Sequence, residues 1–212
     1  MGLDALVKLG GSLLEGDVSR LMDELARAAR TWRLAVVPGG GPFADVVRDT
    51  CARHTAGVDA AHWMAILAME QHAHLLVDLA SNARLVATLP ELASASRAGQ
   101  LPVLAPYALL RREDPLPHGW HVTSDSIAAW IAAHTGARRL ALLKSIEGVL
   151  ANGVVLPEVA RDSPALAGVV DDHFREALGP QLECWILSGR HPERLVQLLE
   201  EGGARGTRLR DA

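Results

Sequence analysis

Short apolar runs alternate along the chain with longer stretches whose apolar positions recur at helical spacing, a pattern that predicts a mostly parallel sheet covered by helices. Residues 3–9 form the first run, which ends in Gly10-Gly11-Ser12. Asp17 or Ser19 then caps a helix with Val18, Leu21, Met22, Leu25 and Ala29 among its apolar positions. Residues 33–37 form the second run, stopped by Pro38-Gly39-Gly40-Gly41-Pro42 and followed by a helix through Phe43, Val46, Val47 and Cys51. The unit of strand, glycine turn and helix therefore occurs twice. A helix over 58–79, a short helix opened by Pro90 and a strand at 101–105 come next. Residues 111–121 are rich in charge and proline and read as a candidate active-site loop; Thr123-Ser124-Asp125-Ser126 after it caps a helix through 127–134. A strand at 138–143, an irregular or short extended segment at 145–150, a helix start at Asp171-Asp172, a strand at 183–187 and a helix at 192–200 complete the order. No internal repeat or low-complexity linker interrupts it, so one α/β domain, an αβα sandwich, is expected over residues 1–212.

Composition narrows the function classes. With 49% hydrophobic and 22% charged residues the chain can bury one sizeable core. A formal charge of −4 supplies no basic field for nucleic acid or anionic lipid. Apolar stretches such as 127–133 fall far short of the roughly 20 residues that span a bilayer, and the start of the chain has no basic segment followed by an apolar run. A cytoplasmic protein without nucleic-acid or membrane partners is the expectation. Cys51 and Cys184 sit in hydrophobic patterns without CxxC spacing and read as buried thiols. Among the nine histidines no HxH or HxxxH pair occurs except His72 and His74, which at i, i+2 point to different sides of a helix, so no structural metal is expected. Of the 21 basic residues only Lys8 and Lys144 are lysines. Where arginine is the default cation, a retained lysine points to a need for a compact ammonium.

The candidate chemistry lies at strand ends. Gly10-Gly11-Ser12 and Gly39-Gly40-Gly41 each follow a strand and precede a helix, where outward backbone N–H groups and the helix dipole receive anions, at the edge where an open α/β sheet places its ligands. Neither matches GxxxxGK[ST] or GxGxxG, and each alone is first of all a structural turn. Lys8 directly precedes the first turn and Lys144 ends a later strand, while Asp125 sits at a helix start where simple capping is the competing role. Two ammonium groups and a carboxylate beside anion-binding turns suit phosphoryl transfer, which depends mostly on positioning and charge neutralisation.

Four elements in order resemble the amino-acid kinase superfamily, whose members include acetylglutamate, aspartate, uridylate and isopentenyl phosphate kinases. They are Val7-Lys8-Leu9-Gly10-Gly11-Ser12, Val37-Pro38-Gly39-Gly40-Gly41-Pro42-Phe43, Thr123-Ser124-Asp125-Ser126-Ile127-Ala128-Ala129 and Leu142-Leu143-Lys144-Ser145-Ile146-Glu147-Gly148-Val149. The resemblance implies an ATP-dependent kinase on an αβα sandwich, with ATP and its Mg2+ over the C-terminal half of the sheet and the acceptor over the N-terminal half. It implies that Lys8 and the Gly10, Gly11 and Ser12 turn stabilise the transferring phosphoryl group, that Asp125 orients the lysines, that Gly39, Gly40 and Gly41 hold the acceptor, and that Ser145, Ile146, Glu147, Gly148 and Val149 line the nucleotide site.

Two departures stand out. Ser145 replaces an aspartate of the family's nucleotide loop, and no lysine follows Lys144, so either Lys144 or an arginine such as Arg190 fills the role of the family's later lysine. The segment from Ala61 through His62 and Trp63 to Gln71, with Ser188-Gly189-Arg190-His191-Pro192-Glu193, resembles the small branch that phosphorylates aminomethylfuran-methanol phosphate in methanofuran biosynthesis. On that resemblance a small phosphorylated acceptor is expected, with His62 or Arg48 near its phosphate, Trp63 as an aromatic wall and Asp45 for its ammonium. His62 and Trp63 are equally suited to helix packing. A homo-oligomer is expected. A non-catalytic nucleotide-binding or storage protein on the same fold is the competing class.

Overall fold

The computed structural model describes residues 2–211. In chain order the strands are β1 (Ala5–Leu9), β2 (Leu34–Pro38), β3 (Ala83–Val86), β4 (Leu101–Leu104), β5 (Arg139–Lys144), β6 (Leu150–Ala151), β7 (Val154–Val155), β8 (Glu158–Ala160), β9 (Glu183–Ser188) and β10 (Thr207–Arg210). Eight of them form one sheet in the order β3-β4-β2-β1-β5-β9-β10-β8, while β6 and β7 pair as a separate hairpin. Every neighbouring pair in the large sheet is parallel except β9 with β10. The helices are α1 (Val18–Ala28), α2 (Gly41–His54), α3 (Val58–Asp78), α4 (Leu89–Arg97), α5 (Tyr107–Glu113), α6 (Ser124–Thr135), α7 (Phe174–Ala177) and α8 (Glu193–Glu201). None among the described residues is long and apolar enough to cross a membrane.

The central strands are apolar on both faces because helices cover both, as a parallel sheet requires. Alternate residues divide into two clusters. Val7, Leu9, Val36, Leu143 and Leu187 pack with α1 and α8, whereas Leu6, Val37, Leu142 and Ile186 pack with α6. The small residues Ala128, Ala129 and Ala132 of α6 are fully buried and let that helix approach the sheet closely. Cys51 and Cys184 are free, buried thiols, and His72 is wholly buried while His74 is exposed, as their spacing requires.

The αβα sandwich matches the sequence expectation, and so do the two strand–turn–helix units. Asp17 is the cap of α1, accepting the Arg20 N–H at 3.0 Å. Other elements differ. The short strands β3, β8 and β10 lie toward the sheet edges, where partial exposure breaks the apolar run used to recognise strands. The start of the expected 111–121 loop belongs to α5, which ends where Asp114 adopts a left-handed conformation at φ 41°. Residues Leu150 to Val155 form the β6–β7 hairpin beyond the segment expected to be irregular. Asp171-Asp172 does not open a helix, since α7 begins at Phe174 and the Asp171 side chain turns to α6 instead.

The register sets the glycine turns side by side. Lys8 pairs with Val37 on β2 and with Leu142 on β5, so both turns emerge at the same carboxyl edge of adjacent strands. A Cβ on Gly11 would lie 2.3 Å from the backbone nitrogen and Cα of Gly41, whose φ of +56° is itself left-handed. Gly11→Ala is therefore expected to destabilise the protein by about 1–3 kcal/mol, the usual scale of forced overpacking, and to impair turnover. Urea denaturation checks this; a midpoint equal to that of the unaltered protein would show that the turns do not abut.

Candidate active site

Two lysines and one aspartate meet at the carboxyl edge. The period of two along a strand puts Lys8 on the face of β1 that carries Leu6, and Lys144 on the face of β5 that carries Leu140 and Leu142, the face that α6 covers. Asp125, in the first turn of α6, drops its carboxylate between them. Lys8 Nζ stands 2.9 Å from Oδ1, and Lys144 Nζ donates to Oδ2 at 2.8 Å. The Lys8 and Asp125 side chains keep 6% exposure each and Lys144 keeps 15%. Burial alone would raise the Asp125 carboxyl, but the Lys8 and Lys144 ammonium groups together hold it below the ordinary carboxylate range. Burial, then the Lys8 ammonium, lowers Lys144, against the opposing influence of Asp125 and Asp171. Two cations on one anion leave a net positive charge at the end of the sheet, suited to an anion that gains charge during reaction.

The glycine turns divide their amides. Gly10 N–H donates to the Leu143 carbonyl at 2.9 Å and Gly39 N–H to that of Leu9 at 2.7 Å, so both are used by the sheet. This corrects the expectation that the Gly10 amide faces the phosphoryl group. The amides of Gly11 and Gly41 open a 3-10 turn (Gly11–Glu15) and α2 respectively, where no helical acceptor precedes them. His72, fully buried on α3, places Nδ1 2.6 Å from the Gly39 carbonyl; burial lowers its pKa, so a neutral ring donates this bond and pins the turn.

A cavity of about 470 Å³ opens over these turns. Gly11, Ser12, Gly40, Gly41, Asp45 and His62 line it together with Thr123 and Ser124 of α6. Burial, then the facing His118, lowers the His62 imidazole to about 4, so it meets the cavity as a neutral hydrogen-bonding group. His118 stacks on it with centroids 4.2 Å apart and bridges Asp59 and Asp114 at 2.6 and 2.9 Å. Asp45 pairs with Arg48 at 2.6 Å. Trp63 does not line the cavity: it packs edge-on to Tyr107 and lies under the Arg111 guanidinium. The aromatic wall is Trp120, with the Arg48 guanidinium 4.8 Å from its ring centre. Trp120 lies in the proline-rich segment 111–121, expected to be a site loop.

On the other side of Ser12, a cavity of about 380 Å³ runs between Arg20 and the Gly189-Arg190 turn. Ser12 Oγ donates to Ser145 Oγ at 3.1 Å, joining the first turn to the expected nucleotide segment. Ile146 is half-buried. Glu147 binds the Arg194 guanidinium at 2.8 Å, which lowers its pKa, and it borders a further cavity of about 610 Å³ with Val155 and Gly206. Gly148 has φ +153°, and a Cβ there would meet Thr207 Oγ1 at 2.7 Å. Val149 is wholly buried and donates its N–H to Thr207 Oγ1 at 2.8 Å, so its side chain serves the core and not a ligand. Among the described residues no group of three or more His, Cys, Asp or Glu side chains is placed to hold a metal ion.

Fold and site together fit a kinase built without a P-loop. The chain belongs to the amino acid kinase family, whose family model matches residues 5–168. It is 28% identical over 202 residues to a [5-(aminomethyl)furan-3-yl]methyl phosphate kinase from Methanocaldococcus jannaschii, covering 92% of each chain. It is 32% identical over 127 residues to an acetylglutamate kinase from Granulibacter bethesdensis, covering 53% of this chain and 41% of that one. Among solved structures, the uridylate kinase of Archaeoglobus fulgidus matches with a TM-score of 0.75 at 18% identity, over 99% of this chain and 100% of that one. The UMP kinase of Bacillus anthracis matches with a TM-score of 0.77 at 14% identity, over 100% and 97%. At those identities the structures show the fold.

If the buried triad neutralises transferring charge, Lys8→Ala should lower kcat by about 10²-fold or more, the scale on which removing one preorganised electrostatic group acts. The pH profile gives a second check. Lys144 must be an ammonium to act, and its pKa is lowered, so kcat should fall as pH rises through a limb below the ordinary lysine value of about 10.4. Asp125→Asn removes a charge that favours the ammonium and should move that limb further down. A limb unmoved by Asp125→Asn would contradict the role given to the pair.

Proposed function

We propose that the protein transfers the γ-phosphoryl group of ATP, with Mg2+, to the phosphate of [5-(aminomethyl)furan-3-yl]methyl phosphate, giving the diphosphate and ADP. An acceptor phosphate oxygen bonds to the γ-phosphorus while the bond to the β–γ bridging oxygen breaks. The observation that carries this reading is the 470 Å³ cavity, where the open amides at Gly11 and Gly41 meet an apolar wall and the Asp45–Arg48 pair. Its small volume and mixed lining suit a ring with an anionic end and a cationic end. The relative that phosphorylates this furan compound, matched over 92% of both chains, supports the same acceptor.

In this reading Lys8, Asp125 and Lys144 are the catalytic residues, with Lys144 filling the role of the family's later lysine because it shares Asp125 with Lys8. Trp120 takes the place of Trp63 as the aromatic wall. His62 contributes a neutral hydrogen bond, and Asp45 receives the aminomethyl group. The nucleotide lies over the C-terminal half of one domain spanning 1–212, against Ser12, Ser145 and Arg190. Magnesium would supply charge neutralisation when bound, held largely by nucleotide phosphates and water. A homo-oligomer acting in the cytoplasm belongs to the same reading. Acetylglutamate is the second acceptor to test, on the strength of the 32% identity over 127 residues.

ADP release should be measured with the furan monophosphate, UMP, isopentenyl phosphate and N-acetylglutamate side by side. The furan monophosphate is expected to give the highest kcat/KM. Asp45→Asn should raise its KM about tenfold, the scale of one lost charged contact, without changing ATP affinity. Efficient phosphorylation of acetylglutamate with none of any phosphorylated acceptor would overturn the acceptor while leaving the kinase intact.

A further inference from the structure

The first turn of α6 carries Asp125, and its own capping is incomplete. Thr123, at the N-cap position, accepts only a long 3.5 Å bond from the Asp125 N–H. The missing acceptors come from outside the helix. Asp171 Oδ2 receives the Thr123 N–H at 2.9 Å, the Thr123 hydroxyl at 2.7 Å and the Ser126 N–H at 3.1 Å, and Oδ1 receives the Ser126 hydroxyl. One carboxylate thus holds the residues two before and one after Asp125.

The segment that delivers Asp171 is itself fixed. Phe174, 1% exposed, anchors it in the core, the Asp171 carbonyl accepts the Phe174 N–H at 3.1 Å, and His173 N–H donates to the His121 carbonyl at 3.2 Å. Asp171 belongs to the C-terminal half of the chain, while Thr123 and Ser124, on the turn it grips, line the proposed acceptor cavity. The contact therefore joins the side of the site that would hold nucleotide to the side that would hold acceptor. It also changes what the helix end can do: with donors taken by a carboxylate, α6 presents acidic groups and leaves anion binding to the glycine turns.

We propose that Asp171 is a positioning residue for phosphoryl transfer, one that sets the rotation and depth of the first turn of α6 so that Asp125 holds both lysines. It hydrogen-bonds neither Lys8 nor Lys144: its charge favours the Lys144 ammonium through space, and its hydrogen bonds act through Thr123 and Ser126. The inference rests on the triad as the proposed site and not on the identity of the acceptor.

A structural cap and a positioning residue predict different measurements. The chain has only two lysines, so a protein labelled with 13C-lysine shows two side-chain resonance sets whose titrations can be followed without any substrate. The charges facing Lys144 are Lys8 on β1, Asp125 on α6 and Asp171 on the segment before α7, with Ser188 beside it on β9. Asp171→Asn removes one of the two negative charges and one acceptor oxygen. The Lys144 midpoint should move to lower pH, and the alkaline limb of kcat with it. With ATP and the furan monophosphate, kcat should fall about tenfold or more while KM for ATP changes less than about threefold, since the lost interaction acts on the reacting geometry.

Thr123→Val with Ser126→Ala leaves Asp171 charged and keeps two backbone bonds. It should lower kcat in the same direction by a smaller factor, and it decides the matter if Asp171→Asn does not fold. A lowered melting temperature with both lysine titrations unchanged would reduce Asp171 to a cap and overturn the proposal, as would a normal kcat in the double variant. Should the Lys144 midpoint move while Lys8→Ala turns over normally, the coupling stands and the triad as the site of transfer falls.

Discussion

The site depends on a buried carboxylate that must hold two ammonium groups at once. Removing three charges from water is expensive, and an ion pair inside a protein offers little net stability over an apolar packing of the same volume. The cluster is stable in its charged form because each lysine stands within 3 Å of a different oxygen of Asp125, with Asp171 close enough to favour the Lys144 ammonium. Removing the shared carboxylate would leave two like charges facing one another. Its placement therefore constrains the surroundings: the small alanines that let α6 lie close to the sheet, the parity that puts Lys8 and Lys144 on one face, and the outside cap that fixes the turn between them.

The second constraint is the contact between the glycine turns. Adjacent parallel strands deliver their following loops to the same edge, and only glycine permits the 2.3 Å approach that a Cβ at Gly11 would make to Gly41. Gly10 and Gly39 extend the sheet ladder, leaving the next amides for a ligand. Ser12 then lines two cavities, one over α2 and α3 and the other toward Arg190. In the proposed reaction this is where donor and acceptor phosphates would meet.

Much of this was legible in the sequence because it follows from period and punctuation. The strand–glycine–helix units, the retention of two lysines in an arginine-rich chain and the capping stretch around Asp125 led to the fold and to the triad. What escaped depends on tertiary placement. Strands near the sheet edge such as β10, in which exposed Arg208 and Arg210 alternate with buried Thr207 and Leu209, carry a polar alternation too short to stand out from loop. Trp63 and Trp120 are equivalent as residue types, and only the packing of α3 against α5 turns the first away from the cavity. Asp171 read as a helix start because its sequence neighbours suit one, while its partners lie 45 and 48 residues away. Spacing alone does not show which groups a strand-end glycine amide reaches, and the Gly10 bond to Leu143 was invisible for that reason.

In the proposed reaction the Lys8–Asp125–Lys144 cluster stabilises the phosphoryl group in transfer and not the bound nucleotide. A direct measurement is calorimetric binding of magnesium ADP with and without aluminium fluoride, in the presence of the furan monophosphate, for the unaltered protein and for Lys8→Ala. Transition-state analogues bind about 10²-fold or more tighter than ground-state ligands when an enzyme is complementary to the transition state. The fluoride-dependent gain is expected in the unaltered protein and its loss in Lys8→Ala, with magnesium ADP affinity nearly equal in the two. A gain that survives in Lys8→Ala would contradict that role for the cluster.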